Sequence, residues 1–453
     1  MRISLPYARR SIVANVRDRN LMAIVKPRDL RGFENQQSAI RAALKDPIES
    51  DRISKMTGTG EKVAIIIDDT TRPTPTRKIL QPILNELHEA GTRDRDITIV
   101  VANGLHRKSR RKEKERMIGK DILSTIEVRD HDARRTQAMV ELGATSRGTP
   151  VWINKNVVEA DLRVLTGHIG PHSMAGYTGG GKAILPGTSG IGTITADHGF
   201  QATADPKSVL GQIRGNPIRE DIEEAAKMVG PCFIANVVMN SKDEIVEVVA
   251  GDMIKAHRVG TRVVDRMAKV ALPRKADVVI AACNYPKDIS LYQATCGIAA
   301  AFRLPVPIVR EDGVIILLAE CREGVGSVFF HRIMKMGSTP EDILERISQP
   351  NSWMQDQWAA QIWCTILKRT EIVVVTDGIT KKTLTEMNIS HATSVDEAIG
   401  IALKKVGKNA EIAVLPEAPC VIATLQNSSS RPQDLGDTQG ALDSPPTAID
   451  KYV

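Results

Sequence analysis

VAIIIDDTTRPTP, residues Val63–Pro75, decides how this chain is read. Val63–Ile67 is an unbroken apolar run, Asp68 ends it, and a polar turn with two prolines follows. An alternating run marks a strand with one wet face, whereas a continuous one marks a strand covered on both faces. Downstream, Thr76–Ala90 places Ile79, Leu80, Ile83, Leu84 and Leu87 on one helical face. A buried strand followed by an amphipathic helix is the building unit of parallel sheets. Similar strands recur at Ile97–Gly104, Leu162–Gly167, Phe233–Asn240, Glu244–Gly251, Ala276–Cys283, Gly313–Glu320, Glu371–Gly378 and Glu411–Pro416. Helical patterns over Ile218–Val229, Met253–Ala271, Thr339–Ile347, Trp353–Lys368 and Val395–Val406 lie among them. The pattern predicts an α/β protein with two α/β domains and largely parallel sheets. Leu272-Pro273-Arg274-Lys275 marks the boundary. From Gln426 the chain turns to Ser, Pro, Gly, Asp and Gln without apolar periodicity, the composition of a disordered tail.

The chain of 453 residues is long enough for two or three domains. It is 42% hydrophobic and 25% charged, which excludes a mainly disordered or fibrous protein. Aromatic residues are only 3%, so the core falls to Ile, Val, Leu and Ala. The net charge of +7 is slight for this length and is no footprint of a dedicated nucleic-acid binder. Cys232, Cys283, Cys296, Cys321, Cys364 and Cys420 form no CxxC pair and read as reduced thiols. The N-terminus has no continuous apolar segment of the secretory type. No apolar run approaches the ~20 residues of a membrane span. The expectation is a soluble, cytoplasmic protein.

Four segments after strands carry chemistry. In DDTTRPTP (Asp68–Pro75), Asp69 and Arg72 flank Thr70 and Thr71 where open α/β sheets place ligands. An arginine there offers a fork of donors to a phosphate or carboxylate. In VANGLHR (Val101–Arg107), His106 follows a turn and is suited to proton transfer near neutral pH. GHIGPHSMAGYTGGGKAILPG (Gly167–Gly187) holds His168, His172, a run of glycines and Lys182. Glycines let backbone N–H groups approach an anion, and lysine adds charge or a nucleophilic amine. The fourth, TITADHGF (Thr193–Phe200), carries His198, an imidazole suited to nickel, copper or zinc.

Gly176-x4-Gly181-Lys182 imitates a phosphate loop, but Ala183 stands where that motif needs a hydroxyl for Mg²⁺. A zinc site from His168, His172 and His198 lacks the HExxH pattern and a placed general base. The residues are rich in His, Lys and Arg and poor in paired carboxylates, which disfavours glycosidase chemistry. No GxSxG supports serine hydrolysis. An anionic substrate and histidine acid/base chemistry remain, with a metal or a lysine adduct.

The ordered set DDTTRPTP, ANGLHR, GHIGPHSMAGYTGGGKAILPG and His198 resembles the nickel-dependent lactate racemase family over roughly residues 10–425. The resemblance implies a racemase or epimerase of a 2-hydroxy acid. It also implies a nickel-pincer nucleotide, a nicotinic-acid-derived mononucleotide that holds Ni(II) through a ring carbon and two sulfurs. By the same resemblance Lys182 tethers the cofactor, His198 is the fourth nickel ligand, His106 and His172 are the catalytic acid/bases, and Asp69, Thr70, Thr71 and Arg72 bind the cofactor. Hydride passes reversibly between the substrate and the cofactor, in a cleft between the domains. The implied partners are the small 2-hydroxy acid and the enzymes that build the cofactor, with no nucleic acid and no membrane. The implied division is 1–272 plus 405–425 as the cofactor domain, 273–404 as the second domain and 426–453 as the tail.

One departure stands out. The family pattern Tyr-Gln-Ala-x-Lys reads here as Tyr292-Gln293-Ala294-Thr295-Cys296. Gln293 and Cys296 are the expected substrate contacts, but the cation is gone, which points to a 2-hydroxy acid other than lactate, bulkier or a sugar acid. Two alternatives use the same residues: a zinc-dependent hydrolase, and a nucleotide- or nucleic-acid-binding protein built on Gly176–Lys182 and the basic run Arg107–Arg116. That run has seven basic and two acidic residues with no aromatics among them, and reads as a solvated helix face.

Overall fold

The computed structural model describes residues 1–349 and 352–426. Strand Val63–Asp68 pairs in parallel with Ile97–Ala102 on one side and Leu162–His168 on the other. Val63, Ile65 and Ile67 face one apolar cluster, Ala64 and Ile66 another. Both faces are therefore dry, as the unbroken run predicts. The full sheet runs Ile245–Asp252, Cys232–Met239, Leu162–His168, Val63–Asp68, Ile97–Ala102, Glu127–Asp130. Only its edge strand Ile245–Asp252 is antiparallel to its neighbour.

The second sheet has six parallel strands in the order Ser390–Ala392, Glu371–Val375, Val309–Leu318, Ala276–Ala282, Ile412–Leu415, Leu21–Ile24. Val278, Ile280 and Ala282 face an outer cluster, while Val279 and Ala281 join the cluster that also holds Ala64, Ile66 and Leu165 of the first sheet. One apolar layer thus serves both sheets.

Strand order fixes where ligands can sit. In the first sheet the chain builds outward from Val63–Asp68 through Ile97–Ala102 to Glu127–Asp130, then returns to the other side of Val63–Asp68 with Leu162–His168. In the second it builds outward from Ala276–Ala282 and returns with Ile412–Leu415. Loops leaving the two central strands part in opposite directions, which opens a crevice at the carboxyl ends of each pair. Asp68–Pro75 and the segment after His168 rim the first crevice. Asn284–Lys287 and Pro419–Cys420 rim the second, and the same cavity touches all four segments.

The expected helices form within a few residues of their predicted ends, as Thr76–Glu89, Pro217–Met228, Lys255–Ala268, Pro340–Ser348, Gln357–Leu367 and Val395–Val406. The division of the chain at its ends differs from the expected one. Ile412–Leu415 lies inside the second sheet, between Ala276–Ala282 and Leu21–Ile24. Ile3, Leu5, Tyr7 and Ala14 of the hairpin Arg2–Tyr7/Arg10–Asn15, and Val16 just after it, join that sheet's outer core. Only Ile422–Leu425 crosses back, pairing in parallel with Lys269–Leu272. A fully buried four-residue strand, Ile412–Leu415, suits a central slot in either sheet, and sequence patterning cannot choose between them. The predicted tail lies, beyond Gln426, outside the described residues.

Candidate functional site

A cavity of about 320 Å³ lies where the two crevices meet. Asp69, Arg72, His106, His168, His172, Lys182, His198, Gln293 and Cys296 all line it, drawn from segments far apart in the chain. Thr70 and Thr71 do not. Thr71 instead orients Asp69, whose Oδ1 accepts from the Thr71 backbone N–H at 3.0 Å and from its hydroxyl at 2.6 Å. These turn contacts are the local bonds that Asp and Thr make readily.

Asp69 Oδ2 lies 2.6 Å from His106 Nδ1. The carboxylate therefore holds the Nδ1–H tautomer and leaves the lone pair on Nε2, where the Gln293 amide donates to it at a long 3.5 Å. Burial alone would raise the Asp69 pKa, but His106 and Arg72 outweigh it and hold the acid well below the usual range. An ionised aspartate against Nδ1–H orients a histidine that accepts protons at Nε2.

His172 has the opposite arrangement. It sits in the two-residue pairing Pro171–His172 with Gly176–Tyr177. Its Nδ1 accepts from the backbone N–H groups of Met174 at 3.2 Å and Ala175 at 3.1 Å. The neutral ring must then carry its proton on Nε2. Burial pushes its pKa well below the usual value, with Lys182 and Arg72 adding to the effect. His168 Nδ1 lies 3.3 Å from the Thr74 hydroxyl, which donates to Asp68. His168 thus ties the first loop to the glycine-rich segment.

The glycine segment is held from behind. Asn236 accepts from the Gly180 N–H at 2.8 Å. His257 donates to Thr178 O at 2.8 Å, and the buried Arg219 donates to the carbonyls of Ala175 and Tyr177. Gly179 has φ +77°, and a Cβ there would stand 2.8 Å from both Asn236 Oδ1 and Ile169 Cγ1. Only glycine fits this approach. The turn Gly180–Ala183 then presents Lys182 to the cavity. Its ammonium has no hydrogen-bond or ion-pair partner among the described residues. Burial, with Arg219 nearby, lowers its pKa to about 7.

His198 ends the short helix Ile191–Asp197. Its Nδ1 lies 2.7 Å from a carboxylate oxygen of the buried Asp197. The two are close but not aligned as a hydrogen bond, and both Asp197 oxygens lack other partners. A carboxylate behind one ring nitrogen is the usual support for an imidazole that ligates a metal with the other.

Sequence reading missed several of these supports. Arg219 and His257 lie inside helices and Asp197 in a helix end, where nothing in the pattern separates them from surface residues. Lys287 was legible in principle, because it follows the strand Ala276–Ala282 directly. Its Nζ donates to Thr71 O at 3.2 Å, across the cavity from its own sheet. Burial and Arg72 lower its pKa to about 8. Cys296 donates to Gln293 O at 3.2 Å. The neighbouring Cys283 thiol lowers the Cys296 pKa, and Lys287 adds to this against burial.

A lactate racemase N-terminal domain model matches residues 7–211, and a lactate racemase C-terminal domain model matches residues 272–423. The chain belongs to the lactate racemase family. Lactate racemases of Thermoanaerobacterium thermosaccharolyticum and Lactiplantibacillus plantarum are each 32% identical to it over 425 residues, 93% of this chain and 98% and 99% of theirs. The lactate racemase apoprotein structure from T. thermosaccharolyticum superposes with a TM-score of 0.86, covering 94% of this chain and all of that one. A Thermotoga maritima protein at 15% identity and TM-score 0.66 shares the fold. Membership makes the chain a racemase, and so an isomerase. Among the described residues no group of three or more His, Cys, Asp or Glu is placed to hold a metal ion. In the basic run, Arg107 pairs with Glu113, Arg111 with Glu115, Lys108 with Asp132 and Lys114 with Asp130, so much of its charge is compensated within the fold. No helix of the described residues is long and apolar enough to cross a membrane.

Proposed function

We propose that this racemase inverts a 2-hydroxy acid at the carbinol carbon, with a nickel-pincer nucleotide held by Lys182 and His198. One observation carries the reading: Arg72, Lys182 and Lys287 face one cavity without an ion-pair partner among the described residues, beside two histidines held in opposite tautomers. Three basic side chains without a paired carboxylate suit anions, and a nucleotide phosphate with a carboxylate substrate supplies them.

The residues suit the cofactor. An amine with a pKa of about 7 is neutral in part at physiological pH, as acylation of Lys182 requires. His198, with Asp197 beside its Nδ1, offers an imidazole edge to a soft divalent metal. When bound, such a group supplies a ring carbon that accepts and returns hydride.

The chain's own residues do the rest. His106 Nε2 takes the hydroxyl proton, and the Asp69 carboxylate stabilises the imidazolium that forms. The oxidised carbon is planar, so the keto acid has lost its configuration. The apolar layer shared by the two sheets keeps the two rims of the cavity together and helps retain it. His172 presents Nε2–H to the substrate oxygen and stabilises the charge that develops there. When hydride returns to the opposite face, the His106 imidazolium gives its proton back to that oxygen, so the proton count closes in either direction. Asp69 and Arg72 belong to the cofactor rim, Gln293 and Cys296 to the substrate wall.

The test uses protein produced with the cofactor-building enzymes. Its nickel content and the mass of the Lys182 peptide are measured first. Single enantiomers of lactate, 2-hydroxybutyrate, malate and phenyllactate are then followed by chiral chromatography in D₂O. Inversion with the α-hydrogen retained is expected. Protein that carries neither nickel nor an adduct on Lys182, or that inverts none of these acids, would overturn the reading.

A further inference from the structure

Cys296 stands where the pattern of the family carries a lysine, and a cysteine side chain is three atoms shorter. Nine residues earlier, the turn after strand Ala276–Ala282 carries Lys287, at the crevice of the second sheet. Its Nζ crosses to the first sheet's loop and donates to Thr71 O at 3.2 Å. That is its only hydrogen bond among the described residues, and no carboxylate pairs with it. Two of its three N–H donors remain for a ligand.

The neighbourhood says which ligand. Thr71, whose carbonyl takes the Lys287 bond, also holds Asp69, and Asp69 holds His106. The ammonium is therefore linked through Thr71 and Asp69 to the histidine that moves the hydroxyl proton, and both face one cavity. In a 2-hydroxy acid the carboxylate and the hydroxyl share one carbon, so a carboxylate anchor must lie near the base. Arg72 is beside it, and an anion between the two cations relieves their mutual repulsion.

We infer that Lys287 binds the substrate carboxylate in this chain, in place of the cation lost at Cys296. The inference rests on the racemase reading above. It makes Lys287 a substrate-binding residue and relocates the anchor from the first turn of helix Thr295–Phe302 to the preceding turn.

Three holoenzyme variants test it: Lys287→Gln, which keeps a donor for Thr71 O but loses the charge; Lys287→Met; and Lys287→Gln combined with Cys296→Lys. Calorimetry gives the Kd, and chiral assay the KM, for whichever acid of the panel the wild type inverts with the lowest KM. Nickel content and the Lys182 adduct are measured in parallel. The two single variants are expected to raise Kd and KM at least 30-fold at unchanged nickel content, and the double variant to recover tenfold or more. Single variants that bind within threefold of wild type would overturn the inference while leaving the racemase reading intact. Loss of nickel and nucleotide from Lys287→Gln would also overturn it, because the ammonium would then be serving the cofactor phosphate. A wild type that inverts no 2-hydroxy acid defeats the racemase reading, and the inference with it.

Discussion

At the scale of single residues, His106 and His172 differ in what holds Nδ1. His106 donates a hydrogen bond from Nδ1–H to Asp69, and His172 Nδ1 accepts from two backbone N–H groups. The sequence shows both as histidines after strands and says nothing of this difference, because tautomers follow from partners that only the fold brings near. Replacing Asp69 with Asn keeps the shape but presents an amide that can donate to Nδ1, which favours the wrong tautomer. Asp69→Asn in the holoenzyme is expected to lower kcat roughly 10²-fold or more, with KM changed by less than threefold and nickel content unchanged. Full kcat in this variant would remove His106 from proton transfer. The same variant reaches stability. The Asp69 pKa is depressed in the fold, so its contribution is present at neutral pH and is lost only as pH falls below the ordinary carboxylate range.

At the scale of elements, the segment Gly167–Gly187 is the most informative stretch and the most dependent on its surroundings. Its glycines and Lys182 were legible because only glycine tolerates such backbone and because a lone lysine closing the run needs a reason. What shapes the segment was not legible: Arg219 from helix Pro217–Met228, Asn236 from strand Cys232–Met239 and His257 from helix Lys255–Ala268 brace it, Arg219 through two bonds and the others through one each. The nine buried strands stood out as apolar runs, and every one formed. The hairpin Arg2–Tyr7/Arg10–Asn15 escaped because RISLPY and RSIVAN mix charge with apolar residues too briefly to show a period. Gly179→Ala tests the bracing. The added methyl meets Asn236 and Ile169 at 2.8 Å in a left-handed backbone, a strain on the order of 1–3 kcal/mol. The variant is expected to melt several degrees lower and to carry less than a tenth of the wild-type Lys182 adduct. Normal loading with a normal melting temperature would show that the loop tolerates a side chain there.

At the scale of the whole molecule, the net charge of +7 says little, and the placement of neutral histidines says more. His131 donates from Nε2 to Ser189 O at 2.9 Å and meets the Asn154 amide at Nδ1 at 3.1 Å. Burial lowers its pKa to about 4. Burial likewise lowers His168, and drives His172 and His257 well below the usual value. In the unfolded chain each takes up a proton near pH 6.5. The native fold refuses those protons until much lower pH, so between pH 6.5 and about 4 the unfolded state binds more of them and stability rises with pH. For His131 alone the loss between pH 7.5 and pH 5 is about 2 kcal/mol. Some acids, among them Asp221, Asp243 and Glu417, have raised pKa values and work in the opposite direction, but against the lower carboxylate range. Melting of the cofactor-free protein is therefore expected to fall steadily from pH 7.5 to pH 5. His131→Gln, which can still donate to Ser189 O but does not titrate, should flatten that fall by about one proton's share. A melting temperature that holds constant over this range, or a slope the variant leaves unchanged, would mean that His131 is already protonated in the native fold. Its bonds to Ser189 and Asn154 would then have to be reassigned.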